Sequence, residues 1–230
     1  MRPRSGSLTS RWIQRISVVI AGLAALAAGP RPATAEAQVW TEVGVRYDVD
    51  KRLTLGVDLH TRFDEDVSRL GSVMPELGLS YRVKKWLRLG AGYRFEYERD
   101  KDGILVSRHR GFGWGRVRRD LGDVRLEYRL QLQEQHRADA NPVNRHTVRN
   151  RGDVSLRRFG AVVPGASVEF HHILGEDNNT IHLGKVWLSA GVEYERGDIS
   201  VEVFYRAIVG QYDPADPTGH VLGVGLHYQL

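Results

Sequence analysis

Cysteine is absent from the 230 residues, so neither a disulfide nor a thiolate metal site can contribute to the fold. Long apolar runs are missing too. The longest, Ile16 to Ala28, falls short of the roughly 20 residues a membrane-spanning helix needs. Any membrane crossing must therefore be made by strands. A lasting excess of one charge is also lacking. The whole chain holds 33 Lys+Arg against 28 Asp+Glu, but residues 1–37 contain five of those cations and one acid, leaving 28 against 27 beyond them. The basic balance belongs to the N-terminus, and the rest lacks the basic excess that a nucleic-acid-binding domain needs.

What the N-terminus does have is order. Arg2, Arg4, Arg11 and Arg15 precede the apolar run, and Gly29-Pro30 and the small-x-small sites Ala33-Thr34-Ala35 and Ala35-Glu36-Ala37 follow it. A basic start, a short apolar core and an A-x-A site together read as a secretory signal peptide over residues 1–37, cleaved near 35–37. Residues 38–230 are then one exported domain.

From Val39 onward the period is two, the signature of half-buried strands. Val39, Val43, Val45 and Tyr47 alternate with Trp40, Glu42, Gly44 and Arg46; Leu55, Val57 and Leu59 alternate with Gly56, Asp58 and His60. The pattern recurs through segments centred on Leu79, Tyr93, Leu130, Val148, Val168, Leu188, Val203 and Leu226. The segment 107–118 fits with its face undecided, because Phe112 and Trp114 share a parity with Arg108, Arg110 and Arg116. Its Gly111-Phe112-Gly113-Trp114-Gly115 run is no nucleotide loop, since no helix follows it. Tight spacers (50–52, 84–86, 196–198) alternate with longer polar ones (64–72, 98–106, 134–144, 173–180, 210–219).

Alternation leaves open whether the apolar face lines a core, as in a lipocalin-like barrel, or faces lipid. Four features favour lipid. Eleven-residue strands tilted near 40–45° span roughly 25 Å, the height of a membrane barrel's apolar band. Eight of the nine tyrosines lie on the apolar parity, mostly near strand ends, as in an interfacial girdle. The polar parity carries both signs of charge at mid-strand, including Glu42, Arg46, Asp58, Arg62, Glu76, Arg94 and Glu96, which suits cross-strand ion pairs in a lumen. The chain also ends on an alternating strand with Tyr228 and Leu230. The expected fold is all-β, a single transmembrane antiparallel up-and-down barrel. Eleven segments can be counted, but single-chain bacterial barrels usually have an even number, so ten or twelve strands are expected.

The early Trp40, the Arg125-Leu126-Glu127-Tyr128-Arg129 strand, Arg149-x-Arg151 and Val168-Glu169-Phe170 resemble an uncharacterised family of Gram-negative outer-membrane proteins, classed as a domain of unknown function and marked by an R-L-E-x-R strand. The resemblance spans nearly all of residues 38–230. It implies a barrel in the outer membrane, with the lipid bilayer, lipopolysaccharide and the assembly machinery as partners. It implies no activity.

Charged groups at membrane depth are the default functional candidates. Arg125, Glu127, Arg129, Arg149, Arg151 and Glu169 fall on three strands expected to be neighbours. They can line a narrow pore for small polar solutes, or plug a structural barrel that presents its outer loops. An outer-membrane hydrolase is the least favoured reading. Its one candidate is His171-His172 with Glu176 and Asp177, and neighbouring strand residues point to opposite faces. The nine histidines are read as mostly rim and surface residues. Neither a cofactor nor a metal is expected: the acidic loop clusters at 64–66, 176–179 and Asp213 with Asp216 match no EF-hand spacing. The Arg-Gly-Asp triplets at 151–153 and 196–198 are read as coincidence.

Overall fold

The computed structural model describes residues 36–64, 69–99, 104–137, 144–174, 180–210 and 219–230. The expected signal segment before residue 36 and most of the acidic loop clusters (65–66, 176–179, 213 and 216) lie outside the described residues. Eleven strands follow in order: β1 Glu36–Asp48, β2 Leu53–Asp64, β3 Arg69–Lys84, β4 Leu87–Arg99, β5 Leu105–Leu121, β6 Val124–Arg137, β7 Asn144–Leu156, β8 Val162–Leu174, β9 Ile181–Arg196, β10 Ile199–Gly210 and β11 Gly219–Gln229. Each pairs antiparallel with its sequence neighbour, and the sheet closes on itself.

The expectation of ten or twelve strands is corrected to eleven. With an odd number, the first and last strands run the same way. The closing pair β1–β11 is accordingly parallel, in register from Glu36 opposite Gly219 to Arg46 opposite Gln229. The even-number expectation assumes an all-antiparallel closure, which this chain does not use. β1 starts at Glu36, so cleavage after Ala37 would leave all but the first two residues of that strand in the barrel.

The short turns collect at one end. Gly122 and Gly197 have φ of 61° and 60° at the first position of two-residue Gly-Asp turns, where glycine turns at no steric cost. At the β1–β2 turn, Asp50 Oδ1 accepts the backbone N–H of Arg52 at 2.6 Å and of Leu53 at 2.8 Å. These two bonds, that from Arg52 first, hold the exposed carboxyl below its ordinary range. A depressed carboxylate pKa means the cap persists at neutral pH and is lost as acidification passes that lowered value.

The barrel is polar inside and apolar outside. On the outer face Leu77 is 60 % and Val57 54 % exposed, whereas Glu96 and Glu169 inside are 1 % and 2 % exposed. Met74, Glu96, Glu169 and Val221 are the largest fully buried side chains, and two of these four are carboxylates. Such a surface is stable only in an apolar solvent, so the alternating apolar face meets lipid.

The undecided β5 resolves the same way as its arginines. Phe112 and Trp114 point into the lumen, leaving Gly111, Gly113 and Gly115 outside. The rings are received by glycines directly opposite on β4: Gly92 faces Phe112 and Gly90 faces Trp114, each ring lying where a Cβ would stand. Gly223 receives Phe204 likewise. Gly223→Val should therefore overpack the wall and lower unfolding stability in detergent by about 1–3 kcal/mol. Gly111→Ala, with nothing within 4 Å of its new methyl, should stay within about 0.5 kcal/mol. Urea midpoints and the temperature at which the folded band disappears on SDS gels would measure both; equal effects would refute the interlock.

Candidate functional site

The lumen is the candidate site. A cavity of 790 Å³ runs along it, lined from Asp48, Arg82 and Gln229 near the short turns to Glu98, Arg108 and Arg145 towards the long loops. Fourteen Arg and Lys line it against eight Asp and Glu, so its wall carries a cationic excess although residues 38–230 are nearly balanced overall.

Strand register concentrates that excess. Arg82 stands opposite Arg88, Arg88 opposite Arg116, Arg116 opposite Arg129 and Arg129 opposite Arg151. Five arginines thus form one row across β3–β7. Like charges directly opposite weaken a sheet, so stability alone does not favour the row. Carboxylates offset it in part: Glu127 lies 3.1 Å from Arg116, Asp153 2.6 Å from Arg151 and Glu169 3.5 Å from Arg129. Elsewhere the expected ion-pair ladder is present. Arg46 meets Asp58 at 2.6 Å, Arg94 meets Glu76 at 2.5 Å, Arg110 meets Glu96 at 2.9 Å, and Arg108 pairs with Glu98.

Of the six residues singled out by the sequence, all face the lumen side of β6, β7 and β8, which are neighbours as expected. They do not form one cluster. Arg129, Arg149 and Glu169 converge, with Arg149 Nε donating to Glu169 Oε1 at 2.7 Å. Arg151 stands beside them but turns to Asp153. Glu127 pairs back to β5 through Arg116, and Arg125 pairs with Asp120 at the short-turn rim.

Aromatic groups fill the opposite side. Trp40 and Trp187 meet edge-on, 5.4 Å between centroids. The Arg206 guanidinium lies 4.5 Å from the Trp187 ring and 4.7 Å from that of Phe204. Arg62 stacks 4.2 Å over Trp40. Trp40, Trp187 and Phe204, with buried Ile208 and Val221, form the hydrophobic cluster and narrow the passage from the β1 and β9–β11 side. His171 packs 4.4 Å from Trp187, and its Nε2 is buried 3.9 Å from Glu169 Oε1. His172 is on the outer face beside Asn150, so the two histidines do diverge, and Glu176 and Asp177 lie outside the described residues. The reading of the histidines as mostly rim and surface residues is corrected for His60, His171 and His227, which face the interior. Parity alone could have found them, since His60 and His171 share a face with their strands' charges and His227 shares one with Gln229.

An apolar exterior around a charged, closed interior defines a transmembrane β-barrel. Within that class the chain belongs to a family described as protein of unknown function (DUF2490), which it matches over residues 37–217. Among curated proteins nothing matches. Two solved structures are similar at low identity. The β domain of the Bordetella autotransporter Brka is 16 % identical, with 69 % of this chain and 75 % of that chain covered and a TM-score of 0.37. The translocator domain of the autotransporter NalP from Neisseria meningitidis is 12 % identical, with 88 % and 91 % covered and a TM-score of 0.39.

Glu169 holds the convergence point together, and removing one partner of a buried ion pair leaves the other charge uncompensated. Glu169→Gln should therefore destabilise the barrel by about 3–5 kcal/mol. Glu195→Gln breaks only the exposed 3.5 Å pair with Arg157 and should cost about 0–1 kcal/mol. Equal losses in urea unfolding would refute the role given to Glu169.

Proposed function

We propose that the protein is exported through its N-terminal signal, inserted by the assembly machinery into the outer membrane of a Gram-negative bacterium, and serves there as a narrow pore preferring small polar anions. The observation that carries this reading is the in-register arginine row Arg82–Arg88–Arg116–Arg129–Arg151 along a cavity whose lining reaches towards both ends. Arginine-lined constrictions select anions because the guanidinium groups replace part of the ion's hydration shell, while the excess charge repels cations. Diameter grows with strand number. Eight strands leave an interior that side chains can fill, and porins of 16–18 strands leave an open channel. Eleven strands lie between, so solutes must be small, and the Trp40–Trp187–Arg206 cluster supports the same restriction. A plugged barrel that presents only its loops is the competing reading.

Planar-bilayer recording of the purified protein separates the two. Small, steady conductance is expected, with a reversal potential in a KCl gradient shifted towards that of chloride. Gln at Arg116, Arg129 and Arg151 together should move that potential towards zero. A folded, inserted barrel with no conductance would leave the plugged reading standing; cation preference would overturn the anion assignment.

A further inference from the structure

The wall opposite the arginine row carries a different chemistry. Glu42 on β1 lies directly across from His60 on β2, and His60 Nδ1 is 3.1 Å from Glu42 Oε2. On the other flank, across the parallel seam, His227 of β11 brings Nε2 to 3.5 Å from Glu42 Oε1. Its Nδ1 lies 4.0 Å from Asp58 Oδ1. Glu42, Asp58 and His60 each offer one ligand atom, all within 4.8 Å of one another.

The groups converge because the residue between them has no side chain. Gly44 stands opposite both Asp58 and His227. A Cβ there would meet Asp58 Oδ1 and would come within 2.6 Å of His227 Nδ1. The glycine therefore opens a cradle into which an imidazole from one side and a carboxylate from the other both lean.

We infer that Glu42, Asp58, His60 and His227 form a binding site for a divalent transition-metal ion of the Zn²⁺ type on the lumen wall, set by the β11–β1–β2 register. Zn²⁺ bound tetrahedrally at about 2.0–2.2 Å puts neighbouring ligand atoms about 3.3 Å apart. The 3.1 Å between His60 Nδ1 and Glu42 Oε2 matches that edge; Asp58 offers an oxygen within 4.8 Å of both, and His227, which can give the metal one nitrogen, approaches by Nε2, 3.5 Å from the other Glu42 oxygen. Two imidazoles and two carboxylates suit Zn²⁺, Ni²⁺ or Cu²⁺. Ca²⁺ and Mg²⁺ prefer oxygen ligands alone.

The surroundings complete the assignment. With Nδ1 on the metal, His60 Nε2 lies 3.3 Å from the Arg94 guanidinium and 3.8 Å from Glu76, which Arg94 Nε holds at 2.6 Å. A ligating histidine is oriented by what its other nitrogen meets, here the Glu76–Arg94 pair. Arg46 competes, since its guanidinium donates to Asp58 Oδ1 at 2.6 Å. Three carboxylates (Glu42, Asp58, Glu76) still outweigh Arg46 and Arg94, which makes this an acidic patch in a cationic lumen. Metal ligation requires neutral imidazoles and ionised carboxylates, so binding at such a site strengthens as pH rises.

The test uses the full-length protein, purified from membranes in detergent and stripped with a chelator. Titration calorimetry with Zn²⁺ should show one site per barrel, and Co²⁺ should give the intense visible bands of a tetrahedral N/O site. Ca²⁺ and Mg²⁺ should not compete. His60→Gln and His227→Gln, each checked for heat-modifiable migration, should each weaken Zn²⁺ binding by roughly tenfold or more, since loss of even an outer partner costs that much. Absence of Zn²⁺ binding to the unaltered barrel, competition by Ca²⁺ at equal concentration, or undiminished binding after both substitutions would overturn the site. The Co²⁺ spectrum of the unaltered protein decides the question even if the variants fail to fold. None of these outcomes depends on whether the barrel conducts.

Discussion

Hydrocarbon offers no hydrogen-bond partner, and everything else in this molecule follows from that constraint. Each strand N–H and C=O facing lipid depth must be met by another strand, and the sheet can have no open edge. Ten antiparallel pairings satisfy all but two strand edges, and the last pair is forced to be parallel because eleven strands leave β1 and β11 pointing the same way. Once the ring is closed, the period of two sorts every residue into lipid or lumen. A one-residue slip anywhere would put an arginine row into the bilayer, so the register that closes the barrel also fixes where its charge lies.

Inside, two demands compete. Buried charges need partners, which favours a packed, paired interior, whereas passage of a solute needs unfilled space beside unsaturated charge. The chain separates the demands around the circumference. On the β1 and β9–β11 side, Trp40, Trp187 and Phe204 fill space, with glycine at 223 making room for a ring. On the β3–β7 side, arginines stand against arginines, and the carboxylates that damp them are fewer. Phe112 and Trp114 also enter on that side, but they lie flat against Gly92 and Gly90 of β4, and the cavity of 790 Å³ runs beside the charged wall.

Period-two patterning made the eleven segments and most of their faces legible, because lipid and lumen impose opposite chemistry on neighbouring residues. The face of β5 was not legible: Phe112 and Trp114 share the arginines' parity, and only the glycines opposite on β4 explain how rings fit inside. The charge cluster was half legible. Arg129, Arg149 and Glu169 could be grouped by parity and strand order, but Glu127 and Arg125 chose partners on β5, a choice set by stagger between strands that alternation does not encode. The strand number was counted correctly as eleven segments and then rejected for a general preference that does not bind a chain able to close in parallel. Most of the long loops and the expected export signal lie beyond the described residues.

The seam is also where the least predictable neighbours meet. Alternation places His227 on the lumen face, but nothing local to β11 says that β1 will lie beside it, because that contact spans nearly the whole chain. Parallel pairing is slightly weaker per residue than antiparallel, and closing the longest loop carries the greatest entropic cost. A ligand held jointly by His227, Glu42 and His60 would bridge β11, β1 and β2 across that junction. It would bind only the closed ring, so its binding free energy would add directly to the stability of closure. The same parallel geometry that weakens the seam thus assembles a group of side chains able to reinforce it.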